Sequence, residues 1–261
     1  MRRTVRPWWG VGMTARTGAW STLPVRRVEA GDGGLDGPRG GDWHLAVPAV
    51  RQVLEQGWDL TAATVLVGEN GTGKSTLVEG LAAAFGMAPE GGSTGSRHRT
   101  RPSESGLSHD IRLVRGAGAP RRGFFLRAET MHGFYTYLDE NPGGDDPAFH
   151  EMSHGESFLE IIGSRMKPRN RGLYVLDEPE SALSFTGCLV LLQQLDALVR
   201  AGSQVVLSTH SPLLAALPGA TIHEVGEWGL RECAWEDLDL VVAWRGFLDA
   251  PGRYLRHVLG A

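Results

Sequence analysis

The run Gly68-Glu69-Asn70-Gly71-Thr72-Gly73-Lys74-Ser75-Thr76 limits what this chain can fold into more than any other stretch. It fits G-x-x-x-x-G-K-S/T, a loop that works only between a strand and a helix. Upstream, Thr64-Val65-Leu66-Val67 is a short, β-branched apolar run. Downstream, Leu77, Leu81, Ala84 and Phe85 recur at helical spacing until Gly86, with Pro89 beyond. The glycines let the backbone curl until its N–H groups face one anion, and the helix that follows adds its positive N-terminal end. Lys74 is placed to reach the β- and γ-phosphates of a nucleotide, and the Ser75 hydroxyl to ligate Mg²⁺. Chance is a poor explanation, because only Lys74 and Lys167 of the 26 basic residues are lysine. Roughly 0.004 such matches are expected in a chain of this composition.

The remaining pattern alternates strand and helix from Ala63 onwards. Phe124-Phe125-Leu126, Leu173 to Leu176 and Val205-Val206-Leu207 are continuous apolar runs, the mark of parallel strands covered on both faces. Phe158, Leu159, Ile161 and Ile162 mark one amphipathic helix, and Cys188, Leu192, Leu195 and Val199 line a face of another. Thr221–Val225 and Leu230–Cys233, separated by Gly226-Glu227-Trp228-Gly229, predict an antiparallel hairpin. Pro48 and Gly57 bracket a short helix before the first motif. The fold class is therefore α/β, with a mainly parallel sheet and helices on both faces. Residues 1–42 carry six arginines before the first acid, Glu29, and then a Gly/Asp-rich stretch, and are expected to form a basic, flexible arm. Residues 88–123 are expected to be an Arg/Gly-rich insertion.

Composition narrows the function classes. The 261 residues suit one large domain, and 30 acids against 26 bases leave a net charge of −4. Two cysteines, Cys188 and Cys233, exclude a disulfide scaffold and a four-cysteine zinc site. No apolar run is long enough to span a membrane, and the basic N-terminus leads into Trp8-Trp9-Gly10 rather than an apolar core. A cytoplasmic location is expected.

Three further motifs carry chemistry. Leu173 to Pro179 is a buried strand ending in Asp177-Glu178: Asp177 can hold Mg²⁺, and Glu178, pointing the other way, can take a proton from water. Ser208-Thr209-His210-Ser211-Pro212 follows the next strand. Since parallel strands end at one edge, His210 should face the γ-phosphate region. Met152 to Ser157 opens a helix, with Ser153 and Glu156 forming an S-x-x-E capping box. That start is either only a cap or, as a helix N-terminus, a second nucleotide contact through Ser153 and Gly155.

These four motifs in this order resemble the ATP-binding-cassette (ABC) class of P-loop ATPases, over roughly residues 43–257. The resemblance implies a P-loop NTPase domain at 43–261 with a small helical lobe at about 130–170 that carries the signature. Met152–Glu156 stands in place of the signature L-S-G-G-Q, with His154 for its first glycine and Glu156 for its glutamine. Asp177 and Glu178 match the Walker B acids, Ser181-Ala182-Leu183-Ser184 the D-loop, and His210 the switch histidine. Gly123 to Glu129, Ser153 to Ser157 and Arg253 to His257 look, more narrowly, like a group of small bacterial ATPases of this class. Where that class has a Q-loop glutamine this chain has Glu129, either a substitute that positions Mg²⁺ or water or a plain surface acid. Trp43 is the best-placed candidate for adenine stacking, with simple packing as the other reading.

The resemblance implies ATP and Mg²⁺ as cofactors, with catalysis by Glu178, His210 and Lys74. It also implies a homodimer in which two copies sandwich two ATP molecules. Ser153 follows Lys74 by 79 positions and precedes Asp177 by 24, which leaves no room for a long coiled coil. Two purposes stay open. Seven arginines against Glu104 and Asp110 between Gly91 and Arg122 suit a nucleic-acid partner in maintenance work. The alternatives are a slow nucleotide switch acting on a protein partner, or the detached motor subunit of a transporter.

Overall fold

Strands whose every residue is apolar must be covered on both faces, and the arrangement of alternate side chains shows how that is done. The computed structural model describes residues 22–32, 43–94, 106–130 and 154–260. Its elements in chain order are β1 (Arg27–Ala30), α1 (Pro48–Gln56), β2 (Trp58–Asp59), β3 (Ala63–Gly68), α2 (Lys74–Phe85) and β4 (Gly92–Ser93). Next come α3 (Leu107–Asp110), β5 (Ile111–Val114), β6 (Gly123–Arg127), α4 (His154–Arg165), β7 (Leu173–Asp177) and α5 (Phe185–Arg200). The chain closes with β8 (Gln204–Thr209), β9 (Thr221–Gly226), β10 (Gly229–Glu232), α6 (Asp239–Asp249) and α7 (Pro251–Leu259).

Seven strands form the main sheet in the order β10-β9-β3-β8-β7-β6-β4. The five central strands, from β9 to β6, are parallel, and β10 and β4 add antiparallel edges. This is the mostly parallel α/β sheet that the apolar runs predict, hairpin included. On one face Val65, Leu126, Leu176 and Leu207 pack with Phe158 and Ile161 of α4 and Leu191 and Leu195 of α5. On the other, Leu66, Phe125, Val175 and Val206 pack with Val50 of α1 and Val78 and Leu81 of α2. The period-2 alternation of a strand thus splits each apolar run between two cores. Phe125 and Phe158, both fully buried, each contribute up to about 3 kcal/mol of transfer free energy. Among the described residues no helix is long and apolar enough to cross a membrane.

Two sequence expectations change in the described residues. First, the expected arm at residues 1–42 is structured over part of its length. β1 pairs antiparallel with β2 and β5 in a second, three-stranded sheet, and Val25 and Val28 are buried in the core beside α1. The high density of arginine hid two valines at inward-facing positions. Second, the expected insertion at 88–123 supplies β4, α3 and β5 to the fold. Leu107 and Ile111 are buried there, Arg112 pairs with Glu29, and the Arg115 guanidinium lies 4.3 Å from the Phe85 ring centroid. Of the expected helical lobe at about 130–170, residues 131–153 lie outside the described residues, and in the remainder α4 buries Phe158, Ile161 and Met166 in the main core. On α5 the deepest positions are Leu191, Leu195 and Leu198, one step around from the predicted Leu192 and Val199.

The small sheet is tied to the large one through a buried amide. Gln204, at the start of β8, accepts from the Val25 N–H at 2.9 Å. Its Nε2 donates to the Val25 carbonyl at 2.7 Å and to the Thr61 carbonyl at 2.9 Å. Replacing Gln204 by Leu fills the space but leaves the buried N–H and carbonyl of Val25, and the carbonyl of Thr61, without this partner. Denaturant unfolding of that variant is expected to show a loss of roughly 2–4 kcal/mol; a loss under about 1 kcal/mol would show that the two sheets are held together by other contacts.

Candidate functional site

The phosphate loop takes its shape from two glycines and one close packing contact. Gly71 (φ 80°) and Gly73 (φ 101°) lie in the left-handed region. A Cβ on Gly73 would run into the Val47 side chain at the entry to α1. The Thr72 hydroxyl donates to the Glu69 carbonyl at 2.8 Å, closing the turn. Lys74, Ser75 and Thr76 form the first turn of α2. Lys74 is 3% exposed, and its Nζ donates to the carbonyls of Gly68 and Glu69, both at 2.9 Å. The ammonium therefore folds back over its own loop and is held by neutral oxygens. Burial pushes its pKa down, against the pull of Glu178, Asp177, Glu180 and Glu69.

The acidic pair stands beside it. Asp177 ends β7, which is separated from β3 by β8 alone, and Ser75 Oγ donates to Asp177 Oδ1 at 3.1 Å. A hydroxyl and a carboxylate oxygen at this separation are the hard oxygen donors that Mg²⁺ takes, so the two residues fit the metal expected of this loop. Burial pushes the Asp177 carboxyl from 3.8 up to about 6, against the nearby Ser208 and Ser75 hydroxyls and the charge of Arg127. Glu178 leaves the strand with φ 47°, the one positive φ outside glycine among the described residues. Such a backbone costs roughly 1 kcal/mol or more. The Glu178 N–H donates to the Ser208 carbonyl at 3.0 Å, and the Ser181 hydroxyl donates to the Glu178 carbonyl at 2.9 Å. Glu178 Oε1 lies 3.1 Å from His210 Nε2, and the His210 N–H is capped by the Glu180 carboxylate.

Loop, acidic pair and histidine thus meet at one sheet edge, as their order in the sequence predicts. Gly155 stands in the first turn of α4, and Ser153 lies outside the described residues. Glu129 is largely exposed in a short 3₁₀ turn after β6 and is bound to Arg127 at 3.2 Å. Trp43 is 57% exposed, edge-on to His44, and does not line the cavity beside the phosphate loop. That cavity, of about 470 Å³, is bounded by Gly68–Thr72, His210, Glu224, Asp239 and an aromatic side chain, Trp228. Trp228 sits in the β9–β10 turn, where sequence reading treats it only as a hairpin residue. Arg127 was also missed, although a charged residue closing an apolar parallel strand is the signal that singled out Asp177.

The pH dependence of this cluster has a definite sign. Between pH 3.8 and about 6 the folded chain holds the Asp177 proton more tightly than the unfolded one, so stability falls as pH rises through that window and is level above it. Replacing Asp177 by Asn removes the buried charge. Without nucleotide or metal, Asp177→Asn is expected to be more stable than the wild type by about 2–3 kcal/mol at pH 7.5, with the difference gone below about pH 4. Melting of both proteins across that range checks it; a variant less stable than wild type at pH 7.5 would overturn the assignment.

No protein-family model matches the chain. It is 28% identical over 170 residues to the cytochrome c biogenesis ATP-binding export protein CcmA of Rhizobium meliloti, covering 58% of this chain and 79% of that protein. It is 26% identical over 180 residues to an uncharacterized ABC transporter ATP-binding protein of Haemophilus influenzae, covering 60% and 67%. Among solved structures, a metal-chelate type ABC transporter in an inward-facing conformation aligns at TM-score 0.42 and 18% identity, over 69% of this chain and 76% of that one. The SMC head domain from Thermotoga maritima aligns at TM-score 0.40 and 14% identity, over 68% and 93%.

Proposed function

We propose that this chain, whose sequence relatives support an ABC-class P-loop ATPase at low identity, binds ATP and hydrolyses it to ADP and phosphate. The observation that carries the reading is the meeting of Lys74, Ser75, Asp177, Glu178 and His210 at one edge of the sheet, with Ser75 on Asp177 and His210 on Glu178, each at 3.1 Å. The backbone N–H groups of Gly71–Thr76 and the N-terminus of α2 hold the phosphates. Lys74 exchanges two loop carbonyls for phosphate oxygens, a stronger partner for an ammonium. Ser75 and Asp177 hold Mg²⁺, which neutralises charge on the phosphate oxygens when bound. Glu178 accepts the proton of a water that attacks the γ-phosphorus in line, as the bond to the β–γ bridging oxygen breaks. His210 orients the Glu178 carboxylate and faces the γ-phosphate.

The same reading takes two copies to complete a site, with Ser153 and Gly155 of one facing Lys74 of the other. ATP would join the two copies and hydrolysis release them. Arg112 and Arg115 are engaged within the fold, so the arginine-rich stretch gives less support to a nucleic-acid partner than its count suggests.

Two measurements test it. Lys74→Ala should lose at least about 100-fold in turnover and bind ATP more weakly, since it removes the cation of the loop; turnover near the wild-type rate would sink the site. Glu178→Gln keeps the shape and removes the base, so sedimentation with Mg²⁺ and ATP should show a trapped dimer. A Glu178→Gln chain that stays monomeric at saturating ATP would rule out the two-copy site.

A further inference from the structure

Beyond the residues already given roles, one side chain reaches three carboxylates around the site. Arg127 ends β6 in register with Asp177 of β7, its partner in the parallel pair. Its guanidinium spreads over three carboxylates from three different elements. Nη1 lies 2.8 Å from Glu79 Oε2 on α2, and Nη2 lies 3.2 Å from Glu129 Oε2 in the turn after β6. Nε lies 3.7 Å from Asp177 Oδ2. The other Asp177 oxygen, Oδ1, is the one that receives the Ser75 hydroxyl. The two carboxylate oxygens are thus divided, one toward the loop serine and one toward the arginine.

We infer that Arg127 is a positioning residue for the metal-holding pair: it fixes the rotation of the Asp177 carboxylate so that Oδ1 faces Ser75, and it fastens the 128–130 turn to the same point. The inference rests on the reading of Ser75 and Asp177 as the pair that holds Mg²⁺. The physical argument is geometric. A carboxylate held by one hydroxyl can turn about its last bond, and the charge of a guanidinium fixed 3.7 Å from the far oxygen favours the orientation that keeps Oδ2 toward it. Glu79 and Glu129 in turn hold the guanidinium plane. Glu79 is 8% exposed on the helix that begins with Lys74, so the anchor moves with the phosphate loop. Glu129 is the exposed leg, which links the turn to the metal side of the site.

A simple counter-charge would behave in the opposite way. Removing a cation near a metal site strengthens metal binding by electrostatics alone, whereas removing a positioning group weakens it. The sign of the change therefore decides between the two roles.

The experiment measures binding of a fluorescent ATP analogue to the full chain by anisotropy, in EDTA and then across a Mg²⁺ titration, with thermal melting of each variant alongside. Arg127→Met is expected to need about 10-fold more Mg²⁺ for half of the Mg²⁺-dependent gain in affinity, with binding in EDTA within about twofold of wild type. Arg127→Lys, which keeps the charge and loses the fork, should fall between them, and Glu129→Gln should shift the requirement by about threefold. Should Arg127→Met fail to fold, those two variants carry the test. A Mg²⁺ requirement that is unchanged or lowered in all folded variants overturns the positioning role. If instead the wild type ignores Mg²⁺, or Lys74→Ala binds the analogue like wild type, the reading of the site itself is what fails.

Discussion

Level parallel pairing of β3, β8 and β7 is the constraint on which the rest of the site depends. Val67 pairs with Thr209 and Asp177 with Ser208, so the three strands end within a residue or two of one another. Each end carries a different chemical part: the phosphate loop after β3, His210 after β8, the acidic pair at β7. The middle strand is the last of the three in sequence, which means that three crossovers, β3 to β6, β6 to β7 and β7 to β8, must be laid down before the histidine can drop between loop and acids. A one-residue slip in either pairing would turn each strand's buried set to the opposite face. Because each face packs against its own helices, that slip would disrupt both cores. Packing far from the edge is thus what holds Ser75 within 3.1 Å of Asp177.

Electrostatics at that edge is a balance between desolvation and pairing. Asp177 and Lys74 are both nearly without solvent, and burial alone disfavours the charged form of each. Asp177 is compensated by a hydrogen bond from Ser75, the nearby Ser208 hydroxyl and the charge of Arg127, Lys74 by two carbonyls and the field of four nearby acids. Neither arrangement is the best available to a full charge. A cluster held short of full compensation has more to gain from a ligand that brings phosphate to the lysine and a cation to the aspartate. The backbone of Glu178 follows the same logic, since a non-glycine residue stays in the left-handed region only where neighbours hold it there. Here those neighbours are the Ser208 carbonyl and the Ser181 hydroxyl.

The second sheet shows how a fold can recruit segments that look peripheral. Val25 uses its backbone N–H and carbonyl on the Gln204 side chain, so one amide stands in for a strand neighbour at the foot of β8. β1 then carries β2 and β5 beside α1, whose entry at Val47 presses on the phosphate loop. Through this chain of contacts, residues far from the site in sequence set the room available to Gly73. Gly68 is pinned from the other side, since a Cβ there would collide with the carbonyl of Val225 on β9.

Local physics made the ends of the argument readable from sequence. The glycine spacing of the loop, the apolar runs of β3, β6, β7 and β8, the Asp177-Glu178 strand exit and the hairpin around Trp228 each follow from steric and periodic rules that act within a few residues. Long-range matters escaped. The placement of Arg127 against Glu79, and of Trp228 beside the phosphate loop, arises from elements that only strand order brings together. β1 and β5 are too short and too rich in charge for their buried valines and isoleucine to stand out. The assignment of α4 to the main core depends on where β7 and α5 lie, which periodicity does not encode. Sequence alone determined which groups reach a strand end and what chemistry they can do there, because strand and loop geometry are local. Tertiary structure alone decided which of those ends are neighbours and which charges face each other, because that depends on burying both faces of one sheet at once.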